Sequence, residues 1–331
     1  MLDVIARMPE MLLDALERSK AVSLPKIENI RQIVFAGMGG SAVSGDIISD
    51  LLRDKIDIPI YVNRGYKLPN FINGQTLVIA ISYSGNTEET LAAVEEASSK
   101  GAKIVCLASG GKLREKGCPL VLVPPGYQPR AALPYLLITA LKVLESVGLP
   151  SVDDNDIKQA VRILQKLRKE IGPGSSERSN TLKQLAKKML GKVPIILAAF
   201  GTTAAAGLRL KTQFNENSKI TALYNLFPEM NHNEIVSLAE LENGEHDFCL
   251  IFLRDEDEDR RVAKRMDITK SLIGTKFGGV KELFTEGKTK TAKILSLIYQ
   301  GDLLSVYLAG ARGIDPVQVD VITKLKRELA R

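Results

Sequence analysis

Two stretches far apart in the chain follow one plan. RQIVFAGMGGSAVSGDIISD (31–50) and VPIILAAFGTTAAAGLRLKTQF (193–214) each run from an apolar strand, through a turn of glycine and hydroxyls, into a helix opened by small residues. A second pair repeats the pattern, TLVIAISYSGNTEE (76–89) against HDFCLIFLRDEDED (246–259). Strand-like runs that alternate with helical periods predict βαβ units and a parallel sheet. Two such series in 331 residues predict an α/β protein of two αβα sandwiches, each with a central parallel sheet, left by a degenerate internal duplication.

In the first series the strands are expected at Ile33–Ala36, Ile58–Val62, Thr76–Ile81, Lys103–Leu107 and Leu120–Val123, with helices at Ala42–Leu52, Thr87–Lys100 and Pro134–Val147. The second series ends likewise in a long helix, Thr289–Ala309. Residues 1–155 form the expected first domain and 181–331 the second. Between them, 156–180 reads as a helix followed by a flexible, solvated linker, GPGSSERSN. The opening MLDVIARMPEMLLDALERSK reads as one amphipathic helix without the order of a signal peptide.

Composition narrows the function. The net charge of +6 is scattered, with no basic block interleaved with aromatics, so a nucleic-acid partner is not expected; the excess suits anionic small molecules. The longest apolar run, Val193–Leu208, is interrupted by Gly201-Thr202-Thr203 and is too short and polar to span a bilayer. Cys106, Cys118 and Cys249 are odd in number, and two of them lie in apolar strands, which fits a reducing compartment. The expectation is a soluble cytoplasmic protein without a membrane partner.

The loop SYSGNTEET (82–90) carries three hydroxyls, an asparagine and a glycine, and no lysine or arginine. It falls at the carboxyl end of a strand, where parallel sheets bind ligands, and at the amino end of a helix, where unpaired N–H groups and the helix dipole favour an anion. Ser82, Ser84 and Thr87 are therefore expected to cradle a phosphate, with Asn86 facing the same crevice and Gly85 allowing the tight turn. An ordinary helix cap at Thr87 is the plainer alternative. GMGGSA (37–42) formally matches a dinucleotide fingerprint, but the next strand ends in Asn63-Arg64 rather than an acid that would hold a ribose. Gly39, Gly40 and Ser41 are read as a second wall of a sugar-phosphate pocket. The second series has Arg-Asp-Glu-Asp-Glu-Asp where the first has its serines, and those acids would repel an anion.

GMGGSAVSG, SYSGNTEET, FNENSK and NHNEI together resemble the sugar isomerase (SIS) family, whose paired domains bind phosphosugars; the match is closest to its archaeal bifunctional phosphoglucose/phosphomannose isomerases. The resemblance implies two SIS domains and an aldose–ketose isomerase that joins glucose 6-phosphate and mannose 6-phosphate to fructose 6-phosphate through a cis-enediol. Position by position it implies Glu216 as the general base, a role that suits a carboxylate, and His232 and Lys324 in ring opening. It implies Arg130 as the cation that stabilises the enediolate. It also implies a homodimer in which His232 reaches the partner's site.

No cofactor is expected. His232 and His246 lack the supporting ligands of a zinc site. Asp255–Asp259 begins like a calcium loop, but Arg260 stands where the glycine belongs and Met266 where the final glutamate belongs. A phosphosugar-binding regulator is the alternative reading. It would need a DNA-binding module, for which about 30 residues before the first strand are too few, and it leaves Glu216 and His232 without a role. A glucosamine-phosphate-forming amidotransferase would need an amino-terminal cysteine nucleophile, where this sequence has Met1-Leu2.

Overall fold

The computed structural model describes residues 1–25, 27–241, 247–277 and 280–329. The chain opens with α1 (Leu2–Ala6) and α2 (Met8–Ser19), two helices where the pattern predicts one. Pro9 has no N–H to give the carbonyl of Ile5, so the helical ladder breaks around Arg7. The first sheet follows: β1 (Gln32–Gly37), α3 (Gly39–Leu52), β2 (Ile60–Asn63), β3 (Thr76–Ile81), α4 (Glu88–Ser99), β4 (Lys103–Ala108) and β5 (Leu120–Leu122). Its strands are all parallel, in the order β2-β1-β3-β4-β5. Every residue of β3 is buried, as a strand covered on both faces requires. β2 starts later than expected because Pro59 cannot donate to a ladder; its carbonyl accepts from the Ile33 N–H instead.

Three helices, α5 (Leu133–Ser146), α6 (Asp154–Ile171) and α7 (Thr181–Lys188), lead to the second sheet. It contains β6 (Val193–Ala199), α8 (Ala204–Gln213), β7 (Leu223–Phe227), α9 (Glu234–Glu240), β8 (Phe248–Arg254), α10 (Arg260–Ile273) and β9 (Val280–Phe284). Its strands are again parallel, in the order β7-β6-β8-β9. The chain ends in α11 (Lys290–Ala311) and α12 (Asp320–Leu329).

The two halves repeat each other in detail. The turn after the first strand needs a positive φ in both, at Gly39 (49°) and Gly201 (102°). The helix that follows packs so closely on the sheet that a Cβ would collide in both. At Gly45 it would lie 2.7 Å from the Phe35 Cβ, and at Gly207 2.7 Å from the Tyr224 ring. These glycines hold α3 and α8 against their sheets, and the two helices also pack against each other.

GPGSSERSN differs from its expectation as a loose linker. Asn180 is fully buried, and its amide donates to the carbonyls of Ile171 and Gly172 and to the Ser175 hydroxyl. Its side-chain oxygen accepts from the N–H groups of Leu182 and Lys183 and so caps α7. The segment is a folded connector because one asparagine satisfies both helix ends.

One continuous apolar core runs through both halves, with α2, α3, α5, α6, α8 and α11 all contributing. Among the described helices α11 alone is long and apolar enough to cross a membrane. Of its most apolar window, 89% is buried inside the protein, as befits a core helix.

Candidate active site

β1 and β3 are neighbours whose connections leave to opposite sides, which opens a crevice at their carboxyl ends. Gly39, Gly40 and Ser41 follow β1, and the serine loop follows β3. The Ser41 Oγ accepts from the Tyr83 N–H at 3.4 Å and joins the two walls. Tyr83 in turn donates its phenol to the Pro124 carbonyl and accepts from the Tyr127 N–H, which ties the loop to the segment carrying Arg130.

Inside the serine loop, Ser82 and Thr87 share a hydroxyl hydrogen bond of 2.8 Å. The Thr87 side chain makes no capping bond to α4, so the plain-cap alternative lacks its bond. The Asn86 side-chain oxygen accepts from the Lys112 N–H and braces a neighbouring loop, while the residue stays exposed. Gly85 must be glycine, because its φ is +70° and a Cβ would sit 1.7 Å from the Gly110 carbonyl oxygen. The loop is thereby held rigid, with Ser84 exposed at its tip.

Arg130 lies beside the glycine wall, so close that a Cβ on Gly40 would stand 3.0 Å from the Arg130 Cα. Its side chain is 3% exposed. The Nε donates to Asn217 Oδ1 (2.8 Å), Nη1 to Glu216 Oε2 (3.3 Å), and Nη2 to the carbonyls of Pro316 (2.6 Å) and Val317 (3.2 Å). Burial pulls the Arg130 pKa down, and the Glu216 carboxylate opposes that shift. Glu216 and Asn217 sit in a widened helical turn, Phe214–Ser218, that ends α8 and closes on Lys219 at a left-handed φ of 54°. The Lys219 ammonium donates to the Glu216 carbonyl at 2.6 Å, and burial followed by the nearby Arg130 charge lowers its pKa. A series of contacts thus runs from the serine loop through Ser41 and the glycine wall to Arg130, and from Arg130 to Glu216 of the other half.

His232 and Lys324 stand apart from this group. His232 is exposed, at the end of the short helical turn Glu229–His232 after β7. Lys324 lies on α12, no residue of which is buried. No hydrogen bond or ion pair joins either to Arg130 or Glu216, although the segment bonded by Arg130 leads straight into α12. His246 lies outside the described residues.

The corresponding crevice of the second half is an open cavity of about 250 Å³, but acids line it. Asp255 accepts from Lys293 (2.7 Å) and Thr285 (2.9 Å), Glu258 pairs with Arg254 (2.9 Å), and Asp259 caps α10. Among the described residues no group of three or more His, Cys, Asp or Glu side chains is placed to hold a metal ion. Asn217, Arg209 and Asp302, all buried around Arg130, carry no local sequence signal beyond the neighbourhood of Asn217 to Glu216.

Residues 26–112 match the SIS domain, and residues 178–329 match the bacterial phospho-glucose isomerase C-terminal SIS domain. The fold agrees. The C-terminal domain of glucosamine-fructose-6-phosphate aminotransferase from Francisella tularensis superposes with a TM-score of 0.73 at 16% identity, over 96% of this chain and 98% of that one. Fold and crevice therefore define a protein of two SIS domains. Over its whole length the chain is 42% identical to a bifunctional phosphoglucose/phosphomannose isomerase of Caldicellulosiruptor bescii, covering 99% of that protein. It is 36% identical to another from Thermoplasma acidophilum, over 90% of this chain and 89% of the other. The chain belongs to the bifunctional phosphoglucose/phosphomannose isomerase family.

Proposed function

We propose that the protein interconverts glucose 6-phosphate and mannose 6-phosphate with fructose 6-phosphate through a cis-enediol, without a metal ion. The observation that carries this reading is the pairing of the Glu216 carboxylate with the buried Arg130 guanidinium, on a segment that lies against the glycine wall. Of the five N–H groups of Arg130, four are taken by Asn217, Glu216, Pro316 and Val317. Among the described residues one Nη1–H is left without a partner, next to a carboxylate whose Oε1 is also free. That is a base and an oxyanion donor side by side.

In the reaction the serine loop, with Gly39, Gly40 and Ser41, holds the phosphate and fixes the open-chain sugar. Glu216 takes the C2 proton, the C–H electrons form the C1=C2 bond, and the former carbonyl oxygen becomes an enediolate. Arg130 meets that charge without reorganisation, because its burial and bonding fix it in advance. The C2 hydroxyl proton then passes to O1, and Glu216 returns its own proton to C1 as the C2=O bond forms. Ring opening falls to His232 and Lys324, with His232 reaching a partner's site in a homodimer. The exposed apolar face of α12 (Val321, Ile322, Leu325 and Leu329) supports such an assembly. The phosphorylated substrates and the free thiols support a cytoplasmic location.

The test is fructose 6-phosphate formation from each hexose phosphate with EDTA present. Turnover of both is expected. Turnover of neither would leave a phosphosugar-binding protein, and loss of activity to EDTA would remove metal independence.

A further inference from the structure

Arg130 is held at both of its ends, and the two holds meet in α11. At the backbone end, the Arg209 Nη2 donates to the Arg130 carbonyl at 2.8 Å. Arg209 is forked on Asp302, with Nε to Oδ1 at 2.9 Å and Nη2 to Oδ2 at 2.7 Å, and both side chains are 2% exposed. Gln213 adds a third bond to Asp302, at 2.8 Å. One helical turn on, the Ser305 hydroxyl donates to the Asp302 carbonyl at 2.7 Å and accepts from Asn217 Nδ2 at 2.9 Å. Asn217 Oδ1 then accepts from the Arg130 Nε, which closes the ring. The Ser218 hydroxyl fastens the same turn to the Ser305 carbonyl at 2.6 Å.

We propose that Arg209, Asp302 and Ser305 are positioning residues, which set the separation of Arg130 and Glu216 for proton transfer; the proposal rests on the isomerase reading above. A buried ion pair is a poor device for stability alone, since apolar side chains of similar volume serve as well. Apolar side chains cannot hold a carbonyl, however, and the third contact of Arg209 is to the Arg130 carbonyl. Every bond in the ring is fully or almost fully buried, so water cannot substitute for a lost member. A base and its oxyanion donor displaced by about 1 Å lose about 100-fold in rate. The circuit fixes both to one turn of α11.

Ser305→Ala deletes a single hydroxyl from the ring and leaves the ion pair intact. Arg209→Lys keeps the charge and loses the fork. In each, kcat should fall about 10- to 100-fold with KM within about a factor of 2. The affinity for 5-phosphoarabinonate, a mimic of the enediolate, should fall with kcat/KM, while that for sorbitol 6-phosphate holds. A merely structural ring would lower the melting temperature and leave kcat of the folded protein unchanged; that result in Ser305→Ala overturns the proposal, even if Arg209→Lys fails to fold. Wild-type turnover, measured alongside, tests the isomerase reading by itself. Its absence overturns that reading and the proposal with it, whereas wild-type turnover with an unchanged kcat in Ser305→Ala overturns the proposal alone.

Discussion

Glu216→Gln isolates the proton transfer from everything else at the site. Glutamine has the length of glutamate and keeps an oxygen for the Arg130 Nη1, now 3.3 Å from the carboxylate. What it loses is the capacity to accept the C2 proton. General bases contribute up to about 10⁴-fold, or about 5 kcal/mol of barrier. The structural cost is smaller. At 3.3 Å the ion pair is worth about 5 kcal/mol of gross attraction at an effective dielectric near 20. Arg130 retains the Asn217, Pro316 and Val317 oxygens, and Glu216 is 28% exposed, so the net loss of stability is about 1–2 kcal/mol. The variant should therefore fold and bind 5-phosphoarabinonate, with kcat down by about 10³- to 10⁴-fold. The assays are coupled fructose 6-phosphate turnover and, by NMR, loss of deuterium from [2-²H]glucose 6-phosphate. A kcat within about 10-fold of wild type, or undiminished loss of C2 deuterium, refutes Glu216 as the base.

Three further outcomes are expected. Ser84→Ala with Thr87→Ala should weaken 5-phosphoarabinonate binding by at least about 100-fold, since each hydroxyl bonded to a charged phosphate is worth about 1.5 kcal/mol or more; calorimetry showing unchanged affinity removes the cradle. Mixing Glu216→Gln with His232→Gln subunits should restore about a quarter of wild-type activity if His232 acts across a dimer, because half of the random dimers then hold one intact site; no recovery after exchange places the histidine within its own subunit. Asp50 accepts from the Ala205 N–H in the α3–α8 contact, and burial raises its pKa from 3.8 to about 6. A raised carboxylate contributes stability that is full below about pH 4 and lost as pH rises through about 6. Asp50→Asn should thus match wild type in urea unfolding near pH 4 and exceed it by about 3 kcal/mol above pH 7; a gain independent of pH would contradict this.

The elements were legible because their signals are local. The apolar run of β3 and the hydroxyl cluster after it lie within fifteen or so consecutive positions, and the same holds for β1 and its glycine turn. The duplication was legible for the same reason, and the paired glycines at 39 and 201 and at 45 and 207 give it a steric basis. Local reading failed where a side chain had partners far along the chain. GPGSSERSN has a linker's composition, yet Asn180 turns it into a double cap. The Asn86 oxygen is likewise engaged by the Lys112 N–H, 26 residues along the chain.

By itself the sequence determined two parallel α/β halves, a phosphate-suited loop in the first half and an acidic run in its place in the second. These follow from periodicity, strand ends and charge, which neighbouring residues decide. Only the tertiary structure decided that Arg130 and Glu216 are one unit, that the Arg130 guanidinium is almost fully committed, and that Arg209, Asp302, Ser305 and Asn217 close a ring behind it. The reason is physical. A buried charge is tolerated only where donors and acceptors converge on it in space, and that convergence joins residues from α5's approach, α8 and α11, whose order along the chain says nothing of their distance.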